Sequence, residues 1–267
     1  MLIDTHVHFD LMNREPPETV IARAAAAGVE KMVAVGGTAE ANKIALQVAK
    51  NHPRNIRAAI GLDRHQAELN PALAEFERTL AENNAAAIGE TGLDFHHERP
   101  GREAQINLFR HMLKIARARQ KPVIVHNRGA DSDLIAILAE HARSWQGPAG
   151  KIGVCHCFTG SKEFAERVLE LGFSISFSGI ITFQKSRSSN NDAHAGLIEA
   201  ARAVPEDRLL VETDSPFLAP VPLRGRPNEP ANVRYTAQAL ALIRNCPLES
   251  IASVTTQNAE RLFFNEA

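Results

Sequence analysis

The sequence predicts an eight-stranded parallel α/β barrel, the (β/α)8 or TIM barrel, that forms a single domain over residues 1–267 and carries an extra C-terminal helix. Three observations lead to this prediction. Short apolar runs alternate with longer amphipathic stretches, at a spacing of roughly 30 residues per pair. The runs are rich in Val and Ile, which is typical of strands covered on both faces. The length of 267 residues suits one barrel of roughly 250 residues.

The predicted strands are apolar runs of roughly three to seven residues, and several of them end at Gly or at polar residues. No G-x-G-x-x-G motif follows the first run, which weakens the alternative of a doubly wound, dinucleotide-binding sheet. In chain order the runs are Met1–His6, Lys31–Val35, Ile56–Leu62, Ala86–Ile88, Pro122–Val125, Lys151–Cys155, Phe173–Phe177 and Arg208–Val211.

Proline and glycine mark the ends of the predicted helices. Pro16 and Pro17 open the first helix, because proline is tolerated in a first helical turn, and Gly28 ends it. Thr38 caps the second helix, which ends before Pro53. The other predicted helices begin at Pro71, cover Arg102–Gln120, cover Ser161–Leu171 before Gly172, and form a pair within Pro230–Ala267, the second of which lies beyond the eight units.

Charge and apolar pattern exclude two classes of function. Lys and Arg number 30 and Asp and Glu 31, for a net charge of -1, so a nucleic-acid binder that relies on a large positive excess is excluded. No apolar run approaches the ~18 residues of a membrane helix, and no secretory leader pattern is present, so we expect no membrane association. Nothing in the sequence points to an obligate protein partner.

The cysteine content indicates a reducing compartment. Cys155, Cys157 and Cys246 are too few and too scattered for a disulfide framework, and we therefore expect a cytoplasmic location. Cys155 and Cys157 flank His156, so strand alternation predicts that both thiols face the helices as core residues. The histidines away from the strand ends are expected at the surface. These are His52, His111, His141 and His194.

Polar, metal-competent residues stand where five of the predicted strands stop. In a barrel of this type the carboxyl ends of the strands meet at one face, where active sites form. His6 and His8 are two residues apart on one strand, so their side chains point the same way. The five strand ends are Asp4–His8, Gly89–Gly92, His126–Arg128, His156–Phe158 and Glu212–Pro216.

Four imidazoles and two carboxylates at these ends suit a pair of divalent cations. Imidazole favours Zn, while carboxylate extends the range to Mn and Mg. A site with two cations ~3.5–4 Å apart needs one carboxylate that reaches both. The predicted ligands are His6, His8 and Asp214 for one ion, His126 and His156 for the other, and Glu90 as the bridge.

Six motifs follow one another across nearly the whole chain. They are DTHVHFD at 4–10, GETGLD at 89–94, HNR at 126–128, HCFTG at 156–160, ETDSP at 212–216 and RGRPNEP at 224–230. Together they resemble the TatD-type deoxyribonucleases of the amidohydrolase superfamily. The resemblance implies a metal-dependent barrel that hydrolyses phosphodiester bonds, typically as a DNA exonuclease, with the same six ligands. Glu90 stands where related enzymes use a carboxylated lysine, which points away from the phosphotriesterase-like members.

One stretch departs from the family pattern. Members usually carry Gly-x-His-Pro after the third strand, and that histidine is associated with the substrate phosphate. Here the residues from Gly61 onward read Gly-Leu-Asp-Arg-His, so Asp63 replaces the histidine. Arg64 or His65 is therefore predicted to take over the phosphate contact.

The mechanism expected from this ligand set is attack by a water molecule whose pKa two cations have lowered. Glu90 and Asp214 are the predicted catalytic residues, and Asp214 accepts the proton of the water. The predicted substrate is DNA, as a single strand or at an end. Further candidate phosphate contacts are Arg128, Lys185, Arg187, Arg224 and Arg226, and candidates for stacking on bases are Phe95, Phe158, Phe183 and Phe217.

Two other functions share parts of this pattern. An amidohydrolase acting on a cyclic amide or lactone would use the same ligands without the surrounding arginines. A non-catalytic metal-binding scaffold is disfavoured by the complete ligand set, because a degenerate member is expected to lose ligands.

Overall fold

The computed structural model describes residues 1–12, 14–69, 73–96, 99–183 and 191–265. Eight strands pair in parallel in chain order, β1 to β8, within one sheet. A parallel bridge between Val7 and Ser215 joins the first strand to the segment after the last, which closes the ring. The predicted (β/α)8 barrel is therefore confirmed.

The strands are short, and nearly all their residues are buried because helices cover the outside of the barrel. Their bounds are β1 Leu2–Val7, β2 Val29–Gly37, β3 Ile56–Leu62, β4 Ala87–Asp94, β5 Val123–Arg128, β6 Gly153–Cys155, β7 Ser174–Phe177 and β8 Leu209–Val211.

Each strand is followed by a helix. Thr38 accepts a hydrogen bond from the Ala41 N–H and caps the second helix, as the sequence predicts. The expected third helix start at Pro71 lies outside the described residues. The helices are α1 Pro17–Ala26, α2 Ala39–Asn51, α3 Leu73–Glu82, α4 Arg102–Arg119, α5 Asp131–Arg143, α6 Lys162–Glu170, α7 Asn191–Ala203, α8 Val233–Arg244 and α9 Leu248–Ala259.

Strand β4 is longer than its apolar run. The apolar run ends at Ile88 and the predicted strand end covers Gly89–Gly92, but the strand continues to Asp94. All eight of its residues are buried. Polar residues continue this strand because other polar side chains of the barrel surround them, so hydrophobicity alone places its end too early.

The extra C-terminal helix closes the amino end of the barrel. Helix α9 leads into a π-helical turn, Glu260–Phe264, whose last three side chains are buried. Leu262, Phe263 and Phe264 pack inside the barrel on residues of the strands such as Ile124. The Asn258 amide donates to the carbonyl of Leu209, the first residue of β8. The C-terminal segment therefore fills the interior of the barrel at the amino ends of the strands.

His141 on α5 corrects the expectation of a surface position, because it is fully buried. It follows Leu134 and Leu138 at helical spacing on the inward face of α5. The Arg117 guanidinium lies 3.0 Å from Nδ1, and burial, followed by this charge, lowers the pKa of His141 to about 4. The other three outlying histidines, His52, His111 and His194, are partly exposed.

Of the helices that the structure describes, none combines the length and the apolar character that crossing a membrane requires.

Candidate metal centre

A bulge in β4 brings Glu90 into the mouth of the barrel. The pairing of β4 with β5 shifts register between Ile88 and Thr91, on either side of Glu90. Gly92 has a φ of +143°, and a Cβ there would lie 2.1 Å from the His126 carbonyl oxygen. Glycine is required at this point because the two strands approach too closely for any side chain.

The first group of donor atoms lies where β1 meets the end of β8. His6 Nε2 and His8 Nε2 are 3.1 Å apart, and each lies 3.6 Å from Glu90 Oε2. Asp214 Oδ1 lies 3.9 Å from His6 Nε2 and 3.5 Å from His8 Nε2. The Asp214 backbone, at a φ of +56°, donates its N–H to the His6 carbonyl.

These distances fit one cation. A tetrahedral ion about 2.1 Å from each donor holds its donors about 3.4 Å from one another. Five of the six donor separations in the group lie between 3.1 and 3.9 Å. Two imidazole nitrogens that point at the same place, with two carboxylate oxygens beside them, are the donors such an ion prefers.

The second group shares Glu90 and comes from β5 and β6. His126 Nδ1 and His156 Nε2 are 3.3 Å apart, and they lie 3.1 and 3.5 Å from Glu90 Oε1. Arg64 Nη1 donates to the same carboxylate oxygen at 2.9 Å. Glu90 therefore presents one oxygen to each group. The structure brings all six predicted ligands together.

Two carboxylates that the sequence did not single out hold the histidines of the second group. Asp94 Oδ2 lies 3.5 Å from His126 Nε2, and Glu212 Oε1 lies 3.3 Å from His156 Nδ1. Carboxylates in this position orient a metal-binding imidazole and raise its basicity. The sequence contains a signal for each of these carboxylates. Glu212 precedes Asp214 by two residues, and Asp94 ends the GETGLD motif.

Asp4 ties the first strand to the last. Its Oδ1 accepts the Thr213 N–H at 2.9 Å and the His6 N–H at 3.2 Å, and the Thr213 hydroxyl donates to Oδ2. Burial raises the pKa of Asp4 to about 8, although these donors oppose the shift. The network positions the backbone on both sides of the first donor group.

The charges of the cluster stabilise one another. Burial alone would raise the pKa of Glu90, but the imidazoles around it, His156 foremost, hold that pKa well below its usual range. Burial is likewise outweighed at Asp214, where the hydrogen bond from His8 lowers the pKa. Burial would lower the pKa of His156, but Glu90 and Glu212 raise that pKa well above its usual value. Both ligand carboxylates are therefore ionised at neutral pH, and a bound cation would displace imidazole protons.

The predicted phosphate contacts occupy different places. Arg64 turns into the cluster, whereas His65 is exposed beside it and donates its N–H to Asp63. Arg128 is exposed and lines a cavity of about 600 Å³ at the ends of β4 to β6. Arg224 is exposed, with its guanidinium 3.9 Å from the centre of the Phe183 ring. Arg226 is also exposed, and Lys185 and Arg187 lie outside the described residues.

Of the aromatic candidates, Phe217 is the most open. It is 50% exposed, its ring centre lies 6.2 Å from that of His8, and it lines a cavity of about 500 Å³. Phe95 is partly exposed beneath Arg102. Phe158 was wrongly considered for base stacking, because it is buried in the core, where its ring packs between two other phenylalanines.

Cys157 also departs from its prediction. Cys155 is buried in the layer between strands and helices, as expected. Cys157 has a φ of +44°, which breaks the strand alternation. Its Sγ lies 3.1 Å from the Ser178 hydroxyl, and its N–H donates to Glu212 at 2.7 Å. This residue therefore supports the metal-binding side of the barrel through Glu212.

A parallel barrel that gathers four imidazoles and two carboxylates at the carboxyl ends of its strands belongs to the class of metal-dependent hydrolases. A family model described as TatD related DNase matches residues 3–264. The chain therefore belongs to the TatD-related DNase family, and the resemblance found in the sequence is confirmed.

Individual relatives agree with this placement. The chain is 40% identical to an uncharacterized metal-dependent hydrolase, YcfH, of Escherichia coli K12, over all of this chain and 97% of that protein. It is 34% identical to a protein of Erwinia amylovora named 3'-5' ssDNA/RNA exonuclease TatD, over 92% of this chain and 93% of the relative. The crystal structure of the TatD homologue YjjV of E. coli K12 superposes with a TM-score of 0.83 at 31% identity, covering 99% of this chain and 98% of that one.

Proposed function

We propose that this protein is a metal-dependent phosphodiesterase that removes nucleotides from the ends of DNA, with single-stranded DNA as its preferred substrate. One observation carries the proposal. Glu90 presents Oε2 to His6 and His8 and Oε1 to His126 and His156, so one carboxylate spans two places for a cation. This arrangement suits in-line displacement at phosphorus, where the attacking and leaving oxygens both need stabilisation.

The donor set supports two divalent cations, with Zn²⁺, Mn²⁺ or Mg²⁺ as candidates. Such cations, when bound, lower the pKa of a water molecule and neutralise charge on phosphoryl oxygens. His6, His8 and Asp214 would hold one of them, and His126 and His156 the other, with Glu90 between them.

Asp214 is the proposed proton acceptor. Its carboxylate is ionised at neutral pH and 14% exposed, so it can take a proton from water at the edge of the cluster and pass it towards the leaving oxygen. The hydrogen bond from its N–H to the His6 carbonyl fixes its position on the rim. Glu90 acts by binding both cations rather than by moving a proton.

The surroundings of the cluster support a nucleotide substrate. Phe217 offers an exposed aromatic face beside His8, which suits stacking of an unpaired base. Arg128 and Arg224 are exposed near the ends of β5 and β8, where they can contact phosphates along the strand. The exonuclease name of the Erwinia relative points in the same direction. We further propose that the chain acts as one domain in the cytoplasm, which the free thiols of the described cysteines support.

The proposal is tested by degradation of end-labelled single-stranded DNA in the presence of Mg²⁺, Mn²⁺ or Zn²⁺. The parent protein is compared with Glu90→Ala and Asp214→Asn. We expect release of labelled nucleotides by the parent and loss of most of that activity in both variants. Glu77→Ala is the matched control, because Glu77 is an exposed glutamate on α3 that pairs with His111.

Two results would contradict the proposal. One is a parent protein that cleaves no DNA with any of the three metals, and the other is undiminished cleavage by both site variants. A parallel panel of lactones and dihydropyrimidines measures the amidohydrolase alternative. Activity on that panel without DNA cleavage would move the assignment to amide or lactone hydrolysis.

A further inference from the structure

The two donor groups of the metal centre differ at one corner, which Asp214 fills in the first group and Arg64 fills in the second. The Nη1 atom of Arg64 donates to Glu90 Oε1 at 2.9 Å, closer to that oxygen than either His126 Nδ1 or His156 Nε2. Its Nε lies 3.4 Å from Asp94 Oδ2. The side chain is 18% exposed, so most of the guanidinium arm is withdrawn from solvent.

Arg64 occupies a corner of the second group. There, two imidazole nitrogens and Glu90 Oε1 form a triangle with sides of 3.1 to 3.5 Å, and the arginine nitrogen stands against the shared oxygen. The first group has Asp214 Oδ1 as its fourth donor instead. A cation therefore finds four protein donors in the first group, but three donors and a fixed positive charge in the second.

This charge has a direct effect on a second cation. A dication at the second group would share Glu90 Oε1 with a guanidinium a few ångströms away, and like charges at that distance repel strongly in a buried site. To bind, the ion must displace Nη1 from the carboxylate. The guanidinium is also incompletely paired, because Nε forms no hydrogen bond with the residues that the structure describes. Since Nε also lies 3.4 Å from Asp94 Oδ2, the guanidinium would keep a carboxylate beside it after leaving Glu90.

We infer that Arg64 serves as a built-in cation at the second group, so that the two positions bind divalent ions with unequal affinity. The first ion binds at His6, His8, Asp214 and Glu90 Oε2. The second binds weakly until Arg64 leaves Glu90. This inference rests on the two-cation site of the proposed function and adds which position fills first and which residue decides it.

Metal binding tests this directly, without any measurement of DNA cleavage. Mn²⁺ is titrated into the chelator-treated full-length protein by calorimetry, and bound metal is counted after equilibrium dialysis. We expect the parent to bind one ion tightly and a second at least about tenfold more weakly. Arg64→Met should bind the second ion at least about tenfold more tightly than the parent does. An electron paramagnetic resonance spectrum of two coupled Mn²⁺ ions should then appear at a metal-to-protein ratio of two in the variant and only at excess metal in the parent.

Two further variants separate charge from packing. Arg64→Lys keeps the positive charge and should keep the second ion weak. Arg128→Met removes an exposed arginine from the same side of the barrel and should behave like the parent. Circular dichroism of each variant shows that it is folded before titration. If Arg64→Met does not fold, Arg64→Gln replaces it, since an amide can still donate to Glu90.

Several outcomes would overturn the inference. These are two equal tight sites in the parent, an unchanged weak second site in the uncharged variant, or equal strengthening by Arg64→Lys. A second ion that is weak in the parent and strengthened by Arg64→Met, in a parent that cleaves no DNA, would uphold the inference while the proposed nuclease activity failed. A parent that binds no ion tightly would contradict both.

Discussion

The two ends of the barrel are made by the same eight strands and have opposite chemistry. At the carboxyl ends, imidazoles and carboxylates from five strand ends converge, with neighbouring donor atoms less than 4 Å apart. At the amino ends, Leu262, Phe263 and Phe264 fill the interior with apolar side chains. Lys31 and Arg57 close this end by placing their charges about the Phe264 ring, at 5.0 and 5.2 Å.

This difference separates two tasks within one fold. Buried carboxylates cost desolvation energy and do little for stability on their own. Burial of apolar surface at the other end contributes stability without placing any demand on the site. Substitutions at the carboxyl ends of the strands should therefore lower mainly the activity. Substitutions at the amino ends should lower mainly the stability of the fold.

The largest effect is expected at the bridging carboxylate. Glu90→Gln keeps the shape of the side chain but removes the charge that the two proposed cations would share. DNA cleavage should fall by about 10³-fold, or ~4 kcal/mol of transition-state stabilisation. The change also leaves Arg64 and the imidazoles without their counter-charge, so the free energy of unfolding of the metal-free protein, measured in urea, should fall as well, by up to about 3 kcal/mol. A large loss of stability with little loss of rate would reverse the roles assigned to the two ends.

Leu262, Phe263 and Phe264 form an apolar plug at the amino end of the barrel, and this plug should show the opposite behaviour. Phe263 is 4% exposed inside the barrel, and Phe263→Ala leaves a cavity there. We expect a loss of about 3 kcal/mol in the free energy of unfolding. The specific activity of the folded protein at low temperature should stay near that of the parent. Leu242→Ala, on an 84% exposed side chain of α8, provides the control that should leave both quantities unchanged.

His141 tests how the free energy of unfolding depends on pH. Its pKa is about 4 in the folded protein and 6.5 when unperturbed, so the unfolded chain binds a proton first as the pH falls. The stability that follows from a neutral His141 is present above pH 6.5 and is lost between about pH 6.5 and 4, up to roughly 3 kcal/mol. Urea unfolding at pH 7.5, 5.5 and 4.5 should show a steeper decline for the parent than for His141→Phe. Parallel curves would show that His141 does not titrate on unfolding.

Phe217 is expected to give the smallest effect. Phe217→Ala removes the exposed ring next to His8 while leaving all six ligands in place. If a base stacks there, KM for single-stranded DNA should rise by about tenfold, equivalent to ~1–2 kcal/mol, with kcat nearly unchanged. Phe217→Trp should preserve KM. Equal KM values for the parent and the alanine variant would remove base stacking from this wall of the cavity.

The sequence predicted which donor side chains converge better than it predicted their surroundings. His6, His8 and Asp214 stand at strand ends, and the topology of a barrel is enough to bring such ends together. The direction of Arg64 could not be predicted, because it depends on Glu90 and Asp94 from another strand. Asp94 was missed because the apolar run of β4 stops well before the strand does.

The other differences have a similar origin. The sequence predicts only a terminal helix for the residues of the plug, since nothing in the local sequence shows that Phe263 and Phe264 enter the barrel. His141 is predicted at the surface because it lies away from the strand ends, although its spacing from Leu134 and Leu138 puts it on the inward face of α5. In each case the burial of a residue is decided by segments far away in the chain.

The closure of the barrel links chemistry to the order of the chain. Strand β1 meets the segment after β8 through the Val7–Ser215 bridge, and His6, His8 and Asp214 sit on the two sides of this seam. A cation held there would fasten strand β1 to residues about 200 positions later in the chain. During synthesis, the other pair of histidines is complete once His156 has emerged, whereas the fastening across the seam must await Asp214. An ion in this place would therefore stabilise the closed barrel after its eight strands have formed. It would do so at the line where an eight-stranded ring would otherwise begin to open.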